Sequence, residues 1–361
     1  MVVTTAYEEI NATTAFEFSH YGYRILAASI LCLMTVVGVI GNSLVIIAVY
    51  FSNKLQTTTN VFVACLAVTD LLNCLFFPVQ VVSVLTRNGP PPIGSLCAVA
   101  GGIIITTNVT SIVLLTMIAL NRWIKITRSH HTYTRVYTRR NLVLMVIISW
   151  TYPLIFMIIP QIAGLGSLGY SKRYKTCVWS DEQQDDFFMP MVFSFSVMSA
   201  SVVITSSYVS IALHVRRQAR RIAVTRSNPT KASRQNNQND VSTTGLPPIS
   251  RLNTGPLQIV EPQQRANPWN EREIRVTKNL ATVVCVFYVL VLPYGVCSIV
   301  PHSYIPFICF SILILSNSIV NPIIYAFKHP VFSQVFIYIF KCRLDNLPEP
   351  SRGLRYILRH R

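Results

Sequence analysis

The sequence predicts an all-α membrane protein: a bundle of seven membrane-crossing helices followed by a short amphipathic helix. Three observations predict it. Seven apolar stretches recur along the 361 residues, each reaching the roughly 20 residues a helix needs to cross a bilayer. Only 12% of residues are charged, 51% are hydrophobic, and the mean hydropathy is +0.45; a soluble domain carries about 25% charged residues. Finally, 26 of the 31 Lys and Arg fall on one side of the alternating loops.

Residues 1–23 are read as an extracellular N-terminal segment. Its first twenty residues are polar and acidic (Glu8, Glu9, Glu17) and lack the basic-then-apolar pattern of a cleavable signal peptide. The first span is therefore expected to act as an uncleaved signal anchor. Asn11-Ala12-Thr13 is a glycosylation sequon there. The seven spans, making up one unit from 24 to 327, are read at 24–50, 59–86, 94–126, 141–163, 186–214, 274–300 and 305–327. Each is long enough to cross with some tilt.

The basic residues set the orientation. Lys54, six from Arg122 to Arg140, twelve from Arg216 to Lys278 and seven from Lys328 to Arg361 lie on one side. Only Arg24, Arg87, Lys172, Arg173 and Lys175 lie on the other. The positive-inside rule puts the N-terminus outside and the C-terminus in the cytoplasm, as in a multi-pass protein of the plasma membrane. The +17 net charge reads as this asymmetry, reinforced by attraction to anionic membrane lipid. A nucleic-acid partner is not expected, because the basic residues flank apolar spans and no binding module is present.

Asp70, in span two, is the one acidic residue in the interior of the spans; Asp186 stands at the very edge of span five. A membrane-centre carboxylate is costly unless paired or hydrated. Asn42, Ser111, Asn317, Ser318 and Asn321 supply polar groups from spans one, three and seven. Two arrangements fit: a chamber holding a hydrated monovalent cation, or an interhelical hydrogen-bond network around a protonated Asp70. Cys97, at the outer start of span three, and Cys177, in the second outer loop, face an oxidising compartment where disulfides persist. A Cys97–Cys177 bridge is expected. The third inner loop begins and ends with arginines that extend the flanking helices. Its middle, about 226–268, is rich in Asn, Gln, Ser and Pro and is expected to be disordered.

Span seven ends in Asn317-Ser318-Ile319-Val320-Asn321-Pro322-Ile323-Ile324-Tyr325. Pro322 removes a backbone donor, and the polar side chains need partners that lipid cannot supply. Such a run faces other helices or a water-filled cavity and marks function. Residues 328–361 form the tail. There Phe332, Val335, Phe336, Ile339 and Phe340 share one face of an amphipathic helix, suited to the inner leaflet. Cys342 beyond it is either a palmitoylation site or a free thiol.

Together these motifs make the chain resemble a rhodopsin-like (class A) G-protein-coupled receptor across all seven spans. Gly41-Asn42-Ser43-Leu44-Val45 and Leu66-Ala67-Val68-Thr69-Asp70 look like its span-one and span-two signatures. Asn121-Arg122-Trp123 stands where Asp/Glu-Arg-Tyr is usual, and Trp150 at the span-four tryptophan. Phe287 and Pro293 fit span six, and Asn321-Pro322-x-x-Tyr325 is intact. Cys97 lies 25 residues before Arg122, the family's disulfide spacing.

The resemblance implies an extracellular ligand among the outer halves of the spans and a heterotrimeric G protein beneath, with arrestin and receptor kinases as further partners. Arg122 would pair with Glu273 at rest and lie against Tyr208 in the active state, while Tyr325 turns inward. Asp70, Ser111 and Asn317 would line a sodium site; no other cofactor is expected. Asn121 replaces the usual acid, Val291 the common tryptophan, and Ala200 the span-five proline. Ile104 and Leu315 stand where amine receptors and opsins carry their aspartate and lysine. Ile104, Ile105, Asn108 and Tyr294 then suggest a small amphipathic or lipid-like ligand, while the charges in the second outer loop suit a solvated surface first, and otherwise the steering of a peptide or an acidic ligand.

The triplet at 121–123, with Gly169-Tyr170 ahead of Lys172-Arg173 and Cys177-x-Trp179, looks like the melatonin-receptor-like group and its invertebrate orphan relatives. A non-coupling decoy receptor is the alternative, with a transporter behind it; neither an inverted repeat nor a broken-helix pair favours the latter. No nucleophile–base pair, zinc spacing or phosphate loop points to an enzyme.

Overall fold

In lipid every backbone polar group must be satisfied internally, so runs of Leu, Ile, Val and Ala of this length have only the helix to adopt. The computed structural model describes residues 21–87, 90–164, 166–172, 174–180, 188–227, 285–286, 288–293, 307–347 and 349–359. Its helices are α1 (Tyr21–Phe51), α2 (Thr58–Leu85), α3 (Ser95–Thr127), α4 (His130–Val136), α5 (Arg139–Ile162), α6 (Phe188–Ser227), α7 (Phe307–Lys328), α8 (Pro330–Phe340) and α9 (Arg352–Arg359). Strands β1 (Leu168–Ser171) and β2 (Thr176–Trp179) lie between α5 and α6. Among the described residues six helices are long and apolar enough to cross a membrane. Residues 285–286 and 288–293 are helical as well; the rest of the predicted sixth span lies outside the described residues.

Local chemistry sets the boundaries. The Thr57, Ser129 and Thr138 side chains accept from the backbone N–H three residues on, capping α2, α4 and α5. His329 caps α8, and Pro330 takes the first helical position, where a missing N–H costs nothing. Inside α2, α5 and α7 sit Pro78, Pro153, Pro160 and Pro322. α6 runs without interruption through Ala200 and past the predicted edge at 214 to Ser227, so no break replaces the missing proline.

α3 lies at the centre, packed on α2, α5, α6 and both strands. The core joins Val45, Phe62, Leu66, Leu115, Ile118 and Ile204. Outward positions such as Leu33, Val36, Ile162 and Phe195 are apolar and exposed, which lipid tolerates and water would not. α1 and α7 approach closely because Gly38 and Gly41 face them. A Cβ on Gly41 would stand 2.8 Å from Pro322 Cβ, and one on Gly38 would collide with Cys74 Sγ of α2. Small residues that let membrane helices come together are the general device here.

The two ends of the bundle are built differently. At one end β1 and β2 pair antiparallel in register Leu168↔Trp179 to Ser171↔Thr176, and the expected Cys97–Cys177 disulfide ties this hairpin to α3. At the other end the chain beyond α8 folds back on the α1–α2 turn. The Ser351 N–H donates to Phe51 O at 2.8 Å, and the Asn53 N–H to Glu349 O at 3.0 Å. Lys54 Nζ lies 3.2 Å from Glu349 Oε1, while Leu347 and Leu354 are buried. The hairpin, α4 and α9 were not among the elements the sequence pattern predicted.

Candidate functional site

A polar layer crosses the middle of the bundle. Asp70 is buried, and its two oxygens have different partners: Ser111 Oγ donates to Oδ1 at 3.3 Å, and Asn321 Nδ2 to Oδ2 at 2.9 Å. The Ser318 hydroxyl also reaches Asp70 and accepts from Asn73 Nδ2 at 2.9 Å. Asn42 stands at the edge of this group. Its Nδ2 donates to Gly38 O and Ser318 O, each at 2.9 Å, bolting α1 to α7. Asn317 is buried in the same turn, but it is its carbonyl that accepts from Asn321, at 3.3 Å. Thus Ser111, Ser318 and Asn321 meet Asp70 directly, whereas Asn42 and Asn317 act through the backbone of α7. Asn73 was missed, although it lies one helical turn beyond Asp70, and a 3.6-residue period puts both on one face.

The oxygen-rich set suits a hard monovalent cation. The Asp70 carboxylate and the Ser111 and Ser318 hydroxyls offer oxygen ligands. The Asn42 and Asn73 Oδ1 atoms are buried and make no hydrogen bond among the described residues. No group of three or more His, Cys, Asp or Glu gathers among the described residues, so the layer does not resemble a transition-metal centre.

The second cluster lies at the tail end of α3. Arg122 is buried, within electrostatic range of Tyr208 of α6 and Tyr325 of α7. The hydroxyls of these two tyrosines are buried without a hydrogen-bond partner among the described residues. The Tyr325 ring stacks on Phe332 of α8, with centroids 5.4 Å apart. Asn121, fully buried, uses both ends of its amide. Thr59 Oγ1 donates to its Oδ1 at 2.6 Å, and its Nδ2 donates to the Tyr133 hydroxyl at 3.3 Å. Tyr137 beside them is half-buried, and burial pushes its hydroxyl up to about 12, against the opposing pull of a hydrogen bond with Asn121. Asn121 therefore bolts α2, α3 and α4 together. Thr59 and Tyr133 carried no sequence signal, being polar residues at loop edges. Trp123 points elsewhere, with Arg128 over its ring at 5.3 Å.

At the hairpin end Ile104 and Asn108 are buried and Ile105 is half-buried. Asn108 Nδ2 turns back to Ile104 O at 2.7 Å. Gln80 of α2 was also missed. Its amide grips the backbone of Cys177 twice: Nε2 donates to Cys177 O at 2.8 Å, and Oε1 accepts from Cys177 N at 2.9 Å. Pro293 is helical and half-buried, and Val291 is buried in the core. Asn11, Glu273, Phe287 and Tyr294 lie outside the described residues. Cys342 is an exposed free thiol just past α8.

A multi-pass helical bundle with a carboxylate layer at its middle, a strapped hairpin at one end and a buried arginine at the other has the build of a membrane receptor. The family model for the 7 transmembrane receptor (rhodopsin family) matches residues 41–325, and the chain belongs to that family. It is a multi-pass membrane receptor rather than an enzyme. It is 32% identical over 197 residues to melatonin receptor type 1B-B of Danio rerio, covering 54% of this chain and 55% of that protein. It is 31% identical over 178 residues to melatonin receptor type 1A of Ovis aries, covering 49% and 48%. The chain thus spans about half the length of these curated relatives. Squid rhodopsin shares the fold, with a TM-score of 0.68 at 18% identity over 93% of this chain and 90% of that one.

Proposed function

We propose that this receptor binds an extracellular ligand beneath the hairpin and activates a heterotrimeric G protein at the opposite end of the bundle. The observation that carries the reading is Arg122. A guanidinium is costly to bury at the end of a membrane helix, yet it sits grouped with Tyr208 and Tyr325 from two other helices. Such a group has two arrangements available, and a ligand that prefers one shifts the population. The N-terminus is taken as extracellular and the tail as cytoplasmic, on the charge asymmetry of the loops.

The ligand is a small amphipathic molecule or a peptide. The buried Ile104, the half-buried Ile105 and the amide of Asn108 suit the first, and the likeness to melatonin receptors puts melatonin itself in the ligand panel. A sodium ion held by Asp70, Ser111 and Ser318 favours rest; Asp70→Asn is expected to abolish any sodium dependence of agonist affinity. Asn11 glycosylation, Cys342 acylation, arrestin and receptor kinases belong to the same reading.

The test is basal and ligand-induced nucleotide exchange in cells, with a panel of chimeric G proteins and an Arg122→Ala control. Signal lost in the control supports coupling and names the G protein. A receptor that reaches the surface, binds ligand and never drives exchange is a decoy, and the coupling reading then fails.

A further inference from the structure

We propose that the recess between the tail end of α3 and the stretch 210–217 of α6 binds the phosphorylated head group of a phosphoinositide-type lipid in the cytoplasmic leaflet. The recess measures about 270 Å³ and is lined by Trp123, Thr127, Arg128, Ser210, His214 and Arg217. It offers two guanidiniums, an imidazole and two hydroxyls, and among the described residues no carboxylate lines it. Neither Arg128 nor Arg217 forms an ion pair among the described residues. Guanidiniums in this density match phosphate oxygens in charge and in forked geometry.

The parts are held in place. Arg128 lies over the Trp123 ring at 5.3 Å, a cation–π contact that holds the guanidinium against α3. His214 Nε2 lies 2.8 Å from Gln218 Nε2, which fixes the imidazole. Trp123 stands where the family usually has tyrosine, and this contact is the role the structure gives it.

The surroundings favour a lipid over a diffusing anion. The recess is smaller than the roughly 300–1,000 Å³ of pockets that enclose a whole drug-sized ligand. Leu213, also in its lining, is 46% exposed. It ends a stripe on α6 with Val202 and Val209, 66% and 51% exposed, spaced for one helical face. Acyl chains lie along that stripe while the head group enters the recess. The leaflet assignment rests on the proposed orientation.

The experiment measures lipid retention by the full chain in nanodiscs of phosphatidylcholine alone, with phosphatidylserine, or with phosphatidylinositol 4,5-bisphosphate, with soluble inositol trisphosphate as a separate arm. We expect one phosphoinositide retained over the other lipids. The loss should be at least about tenfold in affinity for Arg128→Gln/Arg217→Gln, about 1.4 kcal/mol. Arg352→Gln/Arg355→Gln/Arg359→Gln in the tail should leave binding unchanged. Should the double variant not fold, Arg128→Lys/Arg217→Lys keeps charge and loses the fork, and a smaller drop is expected. Retention by the recess variants, loss in the tail variant, or equal binding of the soluble head group would each overturn the proposal. Both disc faces are accessible and no signalling is read, so this result stands apart from the coupling test.

Discussion

Asn121 shows what a single neutral side chain does at a position where the family usually carries an acid. Its amide is fully used, accepting from Thr59 and donating to Tyr133, so it fastens three helices without placing a charge beside Arg122. In Asn121→Asp the carboxylate still accepts from Thr59, and the Tyr133 hydroxyl can turn to donate, so the fold survives. The new charge stabilises Arg122 in its resting place. If the resting state gains the 1–3 kcal/mol typical of such couplings, basal exchange falls by roughly five-fold or more. Cell-surface expression and basal nucleotide exchange measure it, and equal basal activity in the variant would sink the argument. Residue-scale legibility was uneven. Asp70, Ser111, Ser318 and Asn321 could be read because polar groups inside apolar runs stand out. Gln80, Thr59 and Tyr133 could not: their roles depend on which backbone or hydroxyl the fold brings opposite them.

Among elements, the long helices were legible and the short ones were not. A span announces itself by about 20 apolar residues, whereas α4 has seven residues and α9 eight, too few to set a period. The contacts between helices were equally hidden. Gly38 looks like any glycine in α1, yet its missing side chain leaves space for Cys74 Sγ. Gly38→Ala therefore forces α1 from α2, an overpacking cost of about 1–3 kcal/mol. Adding Cys74→Ala removes the obstructing sulfur and should recover part of it; thermal unfolding of the two variants in detergent reads the difference. The tail offers a second element-scale contrast. Leu354 is fully buried, and truncation to Ala costs about 2–5 kcal/mol at such sites. The Lys54–Glu349 pair is partly exposed, worth about 0–1 kcal/mol. Leu354→Ala should release α9 to limited proteolysis while Lys54→Ala leaves it protected. The reverse order would mean that the ion pair, not the leucine, anchors the tail.

For the molecule as a whole, α3 is the element that joins the two working ends. Cys97 near its start carries the hairpin, Ser111 midway meets Asp70, and Arg122 lies near its finish. At 1.5 Å per residue, Cys97 and Arg122 are about 37 Å apart. The hairpin is held by two unlike fastenings: a covalent bond from α3 and the paired hydrogen bonds of Gln80 from α2. Their removal should separate in size and in kind. Replacing Cys97 and Cys177 with Ser frees a constraint across 80 residues, a loss of about 2–5 kcal/mol by the usual scale, and should lower both surface expression and ligand affinity. Gln80→Ala leaves the disulfide intact but strips the Cys177 N–H and carbonyl of their partner, each buried polar group costing about 1–3 kcal/mol when unsatisfied. The hairpin then rocks on its disulfide, so ligand should leave faster while expression holds. Gln80→Glu keeps the acceptor for the Cys177 N–H but sets a carboxylate oxygen against its carbonyl, and should release ligand at least as fast. Radioligand dissociation from the three variants orders these effects. An unchanged off-rate in Gln80→Ala would mean that the disulfide alone positions the hairpin and that α2 takes no part in holding the ligand.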